Sequence, residues 1–188
     1  MSEIDSDHSE YFNPLDSGIT DAELELRIRS PKIRAVFAHW RAARQGRVFP
    51  RRSDVDPAAM LAALGHIIIV ELSYDPFRVF YRLVGTEIVR WSKEDFTNRC
   101  ADELVFQDDT RDWTDYYRKV VELRSVGFGV TYWRETRGRP YWIEHMICPL
   151  SSDGVTIDQC LAAEDYEPMS WQDFDALPSI GRRDRQPT

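Results

Sequence analysis

The clearest pattern in the chain is Ser30-Pro31 followed by Ile33, Val36, Phe37 and Trp40. Serine is a good N-cap, and proline is preset for the first helical position. Apolar residues at i, i+3, i+4 and i+7 then form one stripe. The spacing predicts an amphipathic helix over 31–45, ended by Gly46. Arg41 and Arg44 fall off the stripe and, with Arg47, Arg51 and Arg52, make a basic stretch that reads as a solvated face rather than a binding patch. Upstream, Leu24, Leu26 and Ile28 alternate with Glu25, Arg27 and Arg29, the period of a strand, so residues 19–30 are expected to be extended, with a helical lead-in as the alternative. Residues 1–18 are polar and acidic with few apolar anchors, a disorder pattern.

Downstream, Asp56-Pro57 starts a short helix that runs to Leu64 and stops at Gly65. The β-branched run from His66 to Leu72 reads as a buried strand. A turn at 73–76 and the alternating segment Arg78–Val84 complete a hairpin. Short helical pieces follow at 86–91 and 101–106. Asp108 or Asp109 caps a longer helix that reaches Arg124, with Trp113, Tyr116 or Tyr117, Val120 and Val121 on its inner stripe. Strands are then predicted at 127–135, 141–150 and 157–164, joined by turns at 137–140 and 151–154. Ser170, Trp171, Phe174 and Leu177 predict a short docking helix.

Two strands, a helical cluster, then three strands make an α+β fold: a five-stranded antiparallel sheet with helices on one face and an N-terminal amphipathic helix. Such a half-open cup holds ligands between helices and sheet. The expected organisation is an extended or disordered segment over 1–30, a domain over 31–166 including the N-terminal helix, and a tail over 167–188.

The 188 residues suit one domain, and 43% hydrophobic content supports one core. The net charge of −8 argues against nucleic acid or anionic lipid as a partner. Cys100, Cys148 and Cys160 form no CxxC pair or disulfide framework. No signal peptide is visible, and no apolar run could span a membrane, so the cytoplasm is the expected compartment.

Chemistry is sparse. His8, His39, His66 and His145 show no metal-ligand spacing, so no metal site is expected. Only His145 is placed to face a pocket or the outer sheet surface. No nucleophile elbow, phosphate loop or zinc-protease motif occurs, so no catalytic residue is expected. The aromatic residues around the helical cluster are core by default, with a large apolar cavity as the functional alternative. Candidate pocket residues are Trp91, Phe96, Cys100, Leu104, Trp113, Trp133, Trp142, Met146 and Cys148. Strand parity separates Trp142, Met146 and Cys148 from Tyr141, Ile143, His145 and Ile147. The first set is expected to face the helical cluster. The second set would then need cover from the helix at 31–45, whose stripe Ile33, Val36, Phe37 and Trp40 is the candidate surface for a homodimer or partner protein.

Four segments carry a family resemblance: His39-Trp40, Arg51 to Pro57, Phe80-Tyr81-Arg82-Leu83-Val84-Gly85-Thr86, and Cys148 to Gly154. Over about residues 31–166 the chain resembles PAS domains, and more narrowly stand-alone alphaproteobacterial PAS proteins of unknown ligand. Gly85 is expected to permit the backbone angles of the corner after the second strand, and Thr86 to cap the helix that follows. Asn98 stands where the family usually has glycine, and asparagine tolerates the same positive φ. The resemblance implies a sensory or regulatory module, without catalysis, that binds a small ligand or a signalling protein. A small α+β cup enzyme of the isomerase or hydratase type and a ligand-free interaction domain are the alternatives. Haem is disfavoured because the long helix lacks histidine, and covalent flavin because the residues flanking Cys100 do not match the light-sensing pattern.

Overall fold

The computed structural model describes residues 9–10, 20–104, 113–134, 140–168, 170 and 172, with 9–10 and 131–134 as backbone. Strands β1 (Ser9–Glu10), β2 (Ile67–Ser73), β3 (Arg78–Val84), β4 (Gly127–Arg134), β5 (Pro140–Leu150) and β6 (Gln159–Pro168) form one sheet in the order β1-β4-β5-β6-β2-β3. Every pairing is antiparallel. The five expected strands are all present. A short sixth, β1, comes from a stretch read as disordered and pairs with the outer edge of β4. The helices are α1 (Asp21–Arg27), α2 (Pro31–Ala43), α3 (Thr86–Ser92) and α4 (Trp113–Leu123), with 3₁₀ segments at Arg52–Asp54, Pro57–His66 and Ala101–Glu103. The cap expected at Asp108 or Asp109 lies outside the described residues, as does the tail helix except for Ser170 and Gln172. Among the described residues no helix is long and apolar enough to cross a membrane.

The expected strand over 19–30 is instead α1. Thr20 and Glu23 form a reciprocal capping box: the Glu23 carboxylate accepts from the Thr20 N–H, and the Thr20 hydroxyl accepts from the Glu23 N–H. This local signal outweighs the alternation of Leu24, Leu26 and Ile28. Only Leu24 and Ile28, four apart, are buried, whereas Leu26 is 86% exposed.

Helix α2 forms as its pattern predicts. The Ser30 hydroxyl accepts from the Lys32 and Ile33 N–H groups, both at 3.1 Å. Ile33, Val36, Phe37 and Trp40 are all buried within the chain's own core, each burial contributing about 1.5–3 kcal/mol. In this arrangement the stripe packs into the chain's own core. Arg41 pairs with Glu25, Arg44 with Asp21, and Arg47 with Asp54 at 2.6 Å. Acidic residues of α1 thus neutralise Arg41 and Arg44.

Three of the four segments that carry the family resemblance meet in space. His39 Nε2 accepts from the Asp56 N–H at 2.9 Å, Trp40 Nε1 donates to the Pro149 carbonyl at 2.8 Å, and the Ser151 N–H donates to the Pro50 carbonyl at 3.0 Å. They knit α2, the 50–57 segment and the end of β5 into one scaffold.

The corner after β3 works differently from expectation. Gly85 has an ordinary extended φ of −66° and is itself the N-cap, while Thr86 is the first helical residue. Glycine is needed for space: a Cβ at 85 would lie 2.3 Å from the Gly65 carbonyl oxygen. Asn98 does take positive φ, at 65°. Its N–H donates to the Tyr81 carbonyl at 2.7 Å, holding the loop on the edge of β3.

Candidate functional site

The sheet has two covered faces, and register decides what each carries. Gly127 and Gly129 of β4 lie opposite Ile147 and His145 of β5. Two glycines at alternate positions strip one face of β4 bare, and α4 fills the space. A Cβ at 127 would lie 2.9 Å from Val120, and one at 129 would lie 2.4 Å from the His145 ring and 2.8 Å from the Tyr116 hydroxyl. Tyr141, Ile143, His145 and Ile147 therefore face the helical cluster.

The cup surface is aromatic. His145, 2% exposed, meets the edges of Trp113 at 5.5 Å and Tyr116 at 5.3 Å. Trp91 of α3 stacks on Tyr166 at 5.1 Å and meets Tyr141 edge-on at 4.4 Å. Tyr81 and Phe96 form a further edge contact at 4.7 Å. Burial holds the Tyr117 phenol well above its usual range. The surface is aromatic, with an imidazole and hydroxyls that could orient a bound molecule.

The opposite face is sealed by α2 and anchored by a polar cluster. Glu144, 1% exposed, accepts from the Arg29 N–H at 3.0 Å and the Ser30 N–H at 3.1 Å. Asp165, directly across from it on β6, accepts from the Ser30 hydroxyl and from Lys32 Nζ, both at 2.7 Å. His66 Nδ1 donates to the Glu164 carbonyl at 2.9 Å and lies 3.5 Å from Asp165. Burial pushes the Glu144 carboxyl up. The Arg29 and Ser30 amides oppose that shift, the Asp165 charge adds to it and the Arg29 charge opposes it.

Residues 28–163 match the model of the PAS domain family. The chain belongs to that family. No curated protein matches it. Among solved structures, it is similar to a light-oxygen-voltage domain studied with a flavin analogue, at 15% identity and a TM-score of 0.44, covering 63% of this chain and 87% of that one. It is also similar to an RNA-binding light-oxygen-voltage receptor, at 14% identity and a TM-score of 0.41, covering 62% of this chain and 35% of that one. A third is the light state of the light-oxygen-voltage domain of the blue-light photoreceptor Aureochrome1, at 13% identity and a TM-score of 0.40, covering 65% and 94%.

Within this PAS domain the sequence-predicted pocket residues separate. Trp91, Phe96 and Trp113 pack on the cup side, and Leu104 is half-buried against the core. Trp133 lies opposite Tyr141 in the β4–β5 register, its side chain outside the description. Trp142, Met146 and Cys148 do not face the helical cluster. They share the parity of Glu144 and lie on the α2 face, where the Arg29 guanidinium sits 4.1 Å over the Trp142 ring. The expected parity was inverted because both faces of β5 are buried, so apolar character does not mark the inner one. Burial pushes the Cys148 thiol far above its usual range.

Cys100 stands at the β3 edge, bridged to Phe80. Its sulfur clusters with the Asp102 and Glu103 carboxylates within 4.8 Å, but Arg78 occupies both acids at 2.9–3.0 Å. Burial raises its thiol. Sequence reasoning singled out His145 and placed Tyr116 on the inner stripe, but it missed their meeting over Gly129, on the same side as Tyr141 and Tyr166. The Gly127-x-Gly129 spacing was the available signal, because it marks the face that α4 approaches.

Proposed function

We propose that this PAS domain is a non-catalytic sensory module of the cytoplasm. It takes a small, largely apolar ligand against the aromatic cup and reports occupancy through β5 to α2. The observation that carries this reading is the alternation on β5. His145 faces Trp113 and Tyr116 of α4, while its chain neighbour Glu144 holds the amides that lead into α2. A ligand that shifts α4 against His145 moves the same strand that anchors α2. Displaced from the sheet, α2 would present Ile33, Val36, Phe37 and Trp40 to a second copy or a signalling protein. A ligand can bias this equilibrium only by binding the two arrangements with different affinity.

Native mass spectrometry of protein purified from its own host tests the ligand half. A native mass exceeding the denatured mass by a discrete organic increment is expected. Equal masses across preparations would favour the ligand-free interaction domain.

A further inference from the structure

Glu144 and Asp165 are buried carboxylates placed directly opposite each other across β5 and β6, each 1% exposed. Cross-strand like charges repel, and burial strengthens the repulsion. The groups around them come from four elements. The α1–α2 connection supplies the Arg29 and Ser30 amides, and its Arg29 guanidinium lies over Trp142 of β5. Helix α2 supplies Lys32, whose side chain is 34% exposed. The 3₁₀ segment supplies His66, and β6 supplies the Tyr166 amide at 3.1 Å from Asp165. Glu144 itself accepts neutral backbone donors, while Asp165 takes the ammonium.

We propose that Glu144 and Asp165 form a proton-holding pair whose charge state sets how firmly the α1–α2 connection is anchored to the sheet. The packed arrangement holds a proton on Glu144 to higher pH than the detached arrangement does. Burial raises the Glu144 carboxyl in the packed state above its ordinary value, so the sign follows from linkage. Detachment is proton-releasing and is favoured as pH rises from the ordinary glutamate range to the raised value. Below that window both arrangements hold the proton, and above it neither does. The packed state is therefore tightest on the acid side, and α2 loosens as pH rises. This holds whether or not the cup takes a ligand.

The test is amide hydrogen exchange over residues 29–36 of the full chain between pH 5 and 8, corrected for intrinsic exchange rates. The opening constant of the wild type should rise with pH, up to about tenfold for each pH unit by which the Glu144 midpoint exceeds the ordinary value. Glu144→Gln, which keeps size and an acceptor but never ionises, should be flat. Asp165→Asn should move the wild-type transition to lower pH. A wild type without pH dependence, or a Glu144→Gln variant that keeps it, overturns the proposal. Direct titration of the Glu144 carboxyl carbon by NMR in the wild type guards against variants that fail to fold. A midpoint at or below the ordinary glutamate value also overturns it.

Discussion

Gly129 of β4 lies directly opposite His145 of β5, and the imidazole occupies the space a side chain at 129 would fill, with Cε1 2.4 Å from an ideal Cβ. The cup floor is thus shaped by an absent side chain. Gly129→Ala should displace the ring into Trp113 and Tyr116 and cost about 1–3 kcal/mol, as overpacking does. Thermal unfolding reads the stability, and near-ultraviolet circular dichroism reads the aromatic rearrangement. An unchanged aromatic signal would mean that His145 does not pack as described.

Gly65 and Gly85 give a paired prediction. At 85 an added Cβ meets the Gly65 backbone, whereas at 65 it meets the Glu87 Cγ at 3.1 Å and the Thr86 Oγ1 at 3.3 Å. Gly85→Ala should cost about 3 kcal/mol or more, because backbone cannot yield without moving β2 or α3. Gly65→Ala should cost under about 1 kcal/mol, since the Glu87 side chain can swing away. Chemical denaturation of the two variants separates steric need from conformational need. Equal costs would return the corner to an explanation by backbone angles.

How much of this was legible in the sequence depends on how local each signal is. The boundaries of β3 follow from alternation and punctuation by Pro76 and Gly85. The start of α2 follows from Ser30-Pro31, and its stripe from spacing. Helix α1 was obscured because Leu24, Leu26 and Ile28 mimic a strand, while the deciding Thr20–Glu23 box lies outside that alternation. The parity of β5 could not be read from β5 alone, since a strand covered on both faces loses its polar side. It was written instead in β4, where Gly127 and Gly129 share a face. The Glu144–Asp165 pair depends on the β5–β6 register, and adjacent Glu144 and His145 gave no hint of it beyond pointing to opposite faces.

Trp40 joins α2 to the end of β5 through its Nε1–H and the Pro149 carbonyl at 2.8 Å, in a buried setting. Trp40→Phe keeps most of the packing and removes that hydrogen bond. A loss of about 2 kcal/mol is expected in denaturant unfolding, within the range for an unsatisfied buried acceptor plus a small void. A neutral result would mean that the carbonyl finds another donor.

Asp153 should respond to acid in the opposite sense to Glu144. Its carboxylate accepts from the Val155 and Thr156 amides and from the Thr156 and Ser151 hydroxyls, and these bonds, the amides foremost, hold it well below the usual aspartate range. Its stabilising contribution is present above the ordinary aspartate value of 3.8 and is lost as pH falls through the depressed one. Amides of 152–156 should therefore gain exchange only in strong acid, and Asp153→Ala should show faster exchange wherever the wild-type carboxylate is ionised, the difference closing in strong acid. A loop indifferent to Asp153→Ala would contradict this reading.

Under the proposed function, the state of the cup is read at α2 on the far side of the sheet. The most direct measurement is amide exchange over residues 31–43 in His145→Leu, which alters the cup face of β5 while leaving Glu144 and α2 unaltered in sequence. Faster exchange in α2, alongside changes in α4 and β4, is the expected result. Changes confined to α4 and β4, with α2 exchanging as in the wild type, would contradict coupling through β5.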